Sequence, residues 1–473
     1  MIRVYFDWNV VSNLHSSHVS VKVLSDFLKD EHGSISIPYS DAHLRDIKRG
    51  AKKSNCLVSS RLDYLSSISH NNHMSYDVSA KMVMPYIVHP KEAYADVENN
   101  RFDSMNLMDV LDAIDNDSDI KIGRIIKATL SSIPNPHFSK EFPVSDNPYL
   151  HRVAQSISNT PSYLGFLQAV TEFANTSFKH PDSYKELRES LRTGLIIQPH
   201  QLSSAEKPLE SIENEIRRIS GNGQFTFMDA IREMKKDSPQ FQSVYTDFYA
   251  LYCILEFMGY HSDRINDKNK PENMLTDIQH AFYGAHCDYF VTQDNKAVTK
   301  AAQVYKELQL TSKALTVEAF IDDVRSCYLG KPTFQSVVSS VSETIRSKEC
   351  LQSHVTPQDN EIIQAYLFKP SMTILNYFNF IEYMELKDRF IVFLLHIDSN
   401  LSGFIFYDEI KMIVADFYSM LGLDYAGKGE ITDDELANLS LFERQWTVEP
   451  CLFSLIINPE YHSVSGILTG DND

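Results

Sequence analysis

Cysteine is sparse in this chain: six among 473 residues, at positions 56, 253, 287, 327, 350 and 451. No C-x-x-C pair occurs, and no histidine stands where it would complete a zinc site. The spacing argues against a secreted disulfide scaffold and points to reduced thiols in a cytosolic setting. No apolar run is long enough to span a bilayer, and the N-terminus enters a strand-like run without a signal-peptide pattern. Internal repeats and low-complexity segments are also missing. Basic charge is in deficit: 44 Lys and Arg face 63 Asp and Glu, a formal charge of −19. Such a field repels nucleic acid as a whole, so a nucleic-acid ligand would need a local basic path.

What is present reads as a globular chain, 43% hydrophobic and 23% charged, long enough for two or three domains. Residues 2–6 form a short strand pattern that ends in Asp7-Trp8-Asn9. Val10, Val11 and Leu14, then Val21, Leu24, Phe27 and Leu28, recur at helical spacing behind it. A second short strand falls at 34–38, and Ser40 is placed to cap a helix carrying Asp46. From 51 to 240 the alternation stops and helical patterns dominate, at 57–68, 103–114, 120–132, 162–178, 183–194 and 206–219, with a strand candidate at 82–88. Helix and strand then alternate again. An apolar helix at 245–258 precedes Asp277, an amphipathic helix, the buried strand 289–292 and Asp294. A helix at 296–308, a strand at 314–317 and a helix at 318–324 follow. The last region carries helical patterns at 334–349, 357–368, 408–421 and 433–443 and a strand at 390–394.

Asp7 and Asp294 follow strands, while Asp46 and Asp277 sit on helices that can pack over the same sheet end. Ionisable residues at the carboxyl ends of strands in an open α/β sheet lie over its binding crevice. Two carboxylates within about 4 Å repel by roughly 4 kcal/mol at an effective dielectric near 20, so protons or a cation must offset such a cluster. Carboxylate oxygens suit Mg²⁺ or Mn²⁺, which can activate water and polarise a phosphoryl oxygen. Singly, each Asp reads equally well as a helix cap or a loop residue; Asp41 and Asp63 compete with Asp46 for the second position.

The set resembles the PIN domain, a family of metal-dependent nucleases, on three stretches. These are Val4 to Asn9, Ile37 to Asp46, and Asp277 to Asn295. The resemblance implies a PIN-like (Rossmann-like) α/β fold with a parallel sheet core at 1–50 and 241–330. It also implies a mainly helical inserted lobe at 51–240 and a C-terminal α+β or helical region at 331–473. It further implies Asp7, Asp46, Asp277 and Asp294 as catalytic and metal-binding residues, with Mg²⁺ or Mn²⁺ as cofactor. Cleavage of RNA, less often of DNA, would leave 5′-phosphate and 3′-hydroxyl ends. Asn9, Thr292 and Ser40 match supporting polar positions. His280, one helical turn from Asp277, reads either as steadying a substrate phosphate or, at least as well, as a structural or surface residue.

Asp46 stands where the family usually has glutamate, which leans towards an alternative: a catalytically weak PIN-like nucleic-acid-binding or scaffold protein. Family members often act as toxins or defence effectors with a neutralising protein partner. Lys48, Arg49, Lys52 and Lys53, extended by Lys296 and Lys300, form the best candidate basic path for a nucleic-acid backbone; as a charge run they read equally well as a solvated face. A haloacid-dehalogenase-type phosphatase would need an acid at Asn9. The run Asp424 to Glu435 mimics an EF-hand loop, but Ala426 and Lys428 occupy ligand positions.

Overall fold

A computed structural model describes residues 2–30, 35–51, 57–77, 82–99, 199–220, 244–262, 271–327 and most of 333–471. The helices expected at 103–114, 120–132 and 162–178 lie outside the described residues, as does most of 183–194. So do Lys52 and Lys53.

In chain order the strands of the first part are β1 (Ile2–Phe6), β2 (Ile35–Ser36), β3 (Tyr39–Ser40), β4 (Asn72–Asp77), β5 (Met82–Ile87), β6 (Tyr289–Val291) and β7 (Lys313–Leu315). Four of them form a parallel sheet in the order β2-β1-β6-β7. β1 is central, with Ile2 opposite Ile35 on one side and Val4, Tyr5 and Phe6 opposite Tyr289, Phe290 and Val291 on the other. The chain therefore leaves β1 for β2 on one side and reaches β6 on the other. The gap between β1 and β6 is the point where strand order reverses.

Both faces of this sheet are covered, which explains its nearly continuous apolar strands. Alternation along β1 sends Val4 and Phe6 to one face, with Leu24, Phe27, Phe320 and Val324 of the helices Lys22–Asp30 and Val317–Cys327. Tyr5 and Phe290 go to the other face, against Phe248, Tyr252, Ile278 and Ala301. Those residues belong to the helices Val244–Phe257, Pro271–Gly284 and Asn295–Glu307. Each fully buried side chain of this size contributes roughly 1.5–3 kcal/mol. Gly284 sets how closely the helix Pro271–Gly284 meets β6, because a Cβ there would lie 2.6 Å from the Cβ of Phe290.

The region after residue 51 is not purely helical. The helix Val58–Ser69 forms as expected, but β4 and β5 then pair antiparallel, and β4 runs parallel to β3. The expected strand at 82–88 is β5. The polar sequence of β4, Asn-His-Met-Ser-Tyr-Asp, has too little hydrophobic alternation to betray a strand.

The C-terminal part departs further from expectation. Its strands are β8 (Gln352–Gln358), β9 (Glu361–Phe368), β10 (Phe380–Glu385), β11 (Arg389–Leu395), β12 (Glu443–Val448), β13 (Cys451–Asn458) and β14 (Ser463–Asp471). They form a seven-stranded sheet in the order β12-β13-β14-β11-β10-β9-β8, every neighbouring pair antiparallel. The helix expected at 357–368 is thus a hairpin. Ile363 and Ala365 are buried while Gln364 between them is exposed, a period of two that wins over helical propensity. The helix expected at 433–443 stops at Ala437, and β12 begins at Glu443. The helices Phe334–Ser347 and Tyr407–Leu421 pack on one face of this sheet through Val341, Ile410, Ile413 and Phe417. The C-terminal region is α+β. Among the described residues, no helix is long and apolar enough to cross a membrane.

This part meets the parallel sheet at β1, and the β3-β4-β5 sheet at the start of β4. Arg3, in β1, forms a buried ion pair with Glu409 and lies 5.4 Å from the Phe406 ring centre. Asp408 accepts hydrogen bonds from Asn72 at 2.6 Å and His70 at 3.0 Å.

Candidate active site

The site is built at the carboxyl ends of β1 and β6. β1 ends at Phe6, so Asp7 occupies the cap position of the helix Trp8–His15 with extended backbone, yet its side chain does not cap that helix. Instead Asp7 Oδ2 accepts hydrogen bonds from Thr292 Oγ1 and Asn9 Nδ2, each at 2.6 Å. Asn9 also donates to Thr292 Oγ1 at 2.9 Å, and its own Oδ1 accepts from the Gln293 N–H at 3.2 Å. This closed set of bonds from Asn9 and Thr292 fixes the Asp7 carboxylate across the two strand ends. Asp294 follows β6 and caps the helix Asn295–Glu307, accepting from the backbone N–H groups of Lys296 at 2.8 Å and Ala297 at 3.3 Å.

Asp46 and Asp277 arrive from helices. The helix Asp41–Ala51 buries Ala42, His43, Leu44 and Ile47 and turns Asp46 towards the helix Pro271–Gly284. There Asp46 Oδ2 meets His280 Nε2 at 2.8 Å, and Oδ1 meets the Arg49 guanidinium. His280 Nε2 is also 3.6 Å from Asp7 Oδ1, so one imidazole bridges two of the four acids. Asp41 and Asp63 are elsewhere. Asp41 bonds His73 and Ser75, and Asp63 pairs with Lys91.

Asp277 sits one turn before His280 and is partly buried; among the described residues its side chain has no hydrogen-bond partner. Burial, then the neighbouring charges of Asp7 and Asp294, push its carboxyl well above the ordinary carboxylate range, with Lys300 and His280 opposing. Burial also raises Asp7, against the pull of His280 and the Thr292 hydrogen bond. Burial acts the same way on Asp46, but the hydrogen bond and charge of His280, then Arg49, hold it below the ordinary range. The same acids raise His280 in spite of its burial.

Asp46 thus acts on Asp7, and Asp7 and Asp294 act on Asp277, at the carboxyl end of the parallel sheet. Among the described residues, no three acidic, histidine or cysteine side chains converge as a ready-made metal cage. The donors are carboxylate oxygens throughout, the chemistry that suits a hard cation, and among the described residues Asp277 has no hydrogen-bond partner.

Of the supporting residues, Ser40 does not reach the carboxylates; its hydroxyl bonds Tyr5 at 2.7 Å. His280 is 1% exposed with both ring nitrogens engaged by protein groups, so it faces the acids rather than solvent. In the expected basic path, Arg49 is held by Asp46 and Thr276, Lys48 donates to the Val97 carbonyl at 2.7 Å, and Lys296 to that of Ser262 at 3.3 Å. Lys300 does not extend that path. It lies on the inward face of its helix with Ala297, Ala301 and Val304, and its ammonium meets Glu256 at 2.7 Å with both groups buried.

Sequence reading missed Tyr5, His43 and Glu256. Tyr5 alone left a signal: a hydroxyl inside an apolar strand, two residues before Asp7. In the C-terminal part the EF-hand-like acids Asp424 and Glu435 both grip the buried Arg444, at 3.1 and 2.8 Å.

Comparison with family models, with curated proteins and with solved structures finds no match for this chain.

Proposed function

We propose that this chain is a PIN-like, divalent-cation-dependent nuclease, acting on RNA ahead of DNA. The observation that carries the reading is the placing of Asp7 and Asp294 at the ends of adjacent parallel strands where strand order reverses. Asp277 and the Asp46–His280 pair close over the same crevice. Fold-level likeness alone would not suffice; four acids gathered from sequence positions 7 to 294 give it weight.

Asp7, Asp277 and Asp294 would hold Mg²⁺ or Mn²⁺, with Asp46 beside them. A bound ion there supplies a lowered water pKa and a Lewis acid for the phosphoryl oxygens. The chain's own residues do the rest. Asn9 and Thr292 hold Asp7 in one orientation, and Asp7 or Asp294 orients the attacking water. His280 presents Nε2 to both Asp46 and Asp7, and that shared donor keeps the two carboxylates close. Substrate selection would fall to the inserted lobe and the C-terminal α+β part.

The test is cleavage of single-stranded RNA and DNA by the purified chain with Mn²⁺, with and without EDTA. EDTA-sensitive cleavage of RNA is expected, and no cleavage of either substrate would overturn the proposal.

A second reading, a scaffold that has lost useful metal affinity, is favoured by one observation. His280 and Arg49 already satisfy both oxygens of Asp46. Absence of bound Mn²⁺ at millimolar concentration would select it.

A further inference from the structure

Behind the acids runs a buried chain of hydrogen bonds that the proposed reaction does not use. The Tyr5 hydroxyl, fully buried, lies 2.9 Å from His280 Nδ1, 2.7 Å from Ser40 Oγ and 3.3 Å from His43 Nδ1. These groups come from β1, from the β3 end that leads into the helix Asp41–Ala51, and from the helix Pro271–Gly284. The three elements that deliver Asp7, Asp46 and Asp277 are thus joined through one phenol.

With a single proton on the His280 ring, counting protons gives each bond a direction. His43 Nε2 lies 2.7 Å from the Phe6 carbonyl, which can only accept, so His43 carries its proton there. Its Nδ1 is then an acceptor and takes the Ser40 backbone N–H at 3.1 Å. Burial and the neighbouring His280 hold the His43 pKa at about 3, so the ring stays neutral. Asp46 is likewise an acceptor, so His280 must present a proton on Nε2. His280 Nδ1 is then a bare acceptor, and of the two ring nitrogens beside the Tyr5 hydroxyl it is the nearer, at 2.9 Å against 3.3 Å for His43 Nδ1, so it takes the single Tyr5 proton. Ser40 then donates to the Tyr5 oxygen, while its own oxygen takes the Ala42 N–H at 3.2 Å. Every donor finds one acceptor, and the chain runs from Ala42 to Asp46, both on the same helix.

We propose that Tyr5 is a positioning residue for His280: its hydroxyl fixes the imidazole so that Nε2–H, never a bare nitrogen, faces Asp46 and Asp7. His280 therefore serves the acids as a hydrogen-bond donor and is not itself a ligand for a cation. The catalytic consequence rests on the nuclease reading; the orientation of the ring does not.

Two measurements separate these. In protein labelled with ¹⁵N-histidine, long-range ¹H–¹⁵N spectra report which nitrogen of each ring is protonated, and the His280 signal is the one lost in His280→Gln. Wild type is expected to show a proton on His280 Nε2, and Tyr5→Phe to lose that single pattern. A bare Nε2 in wild type, or an unchanged pattern in Tyr5→Phe, would overturn the proposal whether or not the protein cleaves RNA. In the cleavage assay, Tyr5→Phe should lower kcat about tenfold or more with little change in KM, and add nothing to His280→Gln in the double variant. Additive losses would mean that Tyr5 does not act through His280. A wild type without activity would remove the nuclease reading and leave the spectra to decide the role of Tyr5.

Discussion

Asp46 and His280 are separated by 234 residues and meet at 2.8 Å, a contact that joins the helix Asp41–Ala51 to the helix Pro271–Gly284. Because the imidazole also approaches Asp7, its removal leaves the buried Asp7 and the half-buried Asp46 without their shared donor. His280→Leu should destabilise the fold by about 1–3 kcal/mol in chemical denaturation, less than a bare buried charge costs, since Arg49 still neutralises Asp46. A variant as stable as wild type would show that the acids do not depend on it.

The Arg3–Glu409 pair anchors the C-terminal part on the strand that leads to Asp7. Arg3→Met strands the buried Glu409 and should cost about 3–5 kcal/mol. Adding Glu409→Gln removes the stranded charge and keeps an acceptor for the Phe406 N–H, so the double variant should recover part of the loss. Equal stability of the single and double variants would contradict this.

His70 gives that junction a pH dependence. Its hydrogen bond to Asp408 raises its pKa, against partial burial. A raised folded-state value means that the stabilisation is full below the ordinary histidine range and fades as pH rises through the higher folded value. The difference in melting temperature between wild type and His70→Gln should be larger at pH 6 than at pH 9. Asn72 keeps its own bond to Asp408, so the difference stays small. A gap that widens with pH would reverse the assignment.

If RNA passes the basic run beyond Arg49, Lys52→Glu with Lys53→Glu should weaken RNA binding and flatten its salt dependence. An unchanged slope would place the path elsewhere.

The parallel core was legible because Val4, Phe6, Phe290 and Val291 are buried on both faces and leave short apolar runs punctuated by acids. Asp7 and Asp294 were visible as the residues that end those runs. The hairpin at Gln352–Phe368 was not, since Glu361 to Phe368 mixes helix-forming residues with a period of two that only the sheet partners enforce. Lys300 looked like surface charge, because no local pattern announces Glu256, 44 residues earlier, as its buried partner. Tyr5 left only a hydroxyl inside an apolar strand, and His43 left no sign. Their roles depend on bonds to His280 and to a backbone carbonyl, neither of which leaves a mark in spacing.

Asp294→Asn tests the account most directly. Asparagine caps a helix about as well as aspartate, so the helix Asn295–Glu307 should form unchanged while the carboxylate is lost. Mn²⁺-dependent cleavage of single-stranded RNA should fall by roughly 100-fold or more, with the melting temperature close to wild type. Cleavage at the wild-type rate by a folded Asp294→Asn protein would contradict the central claim.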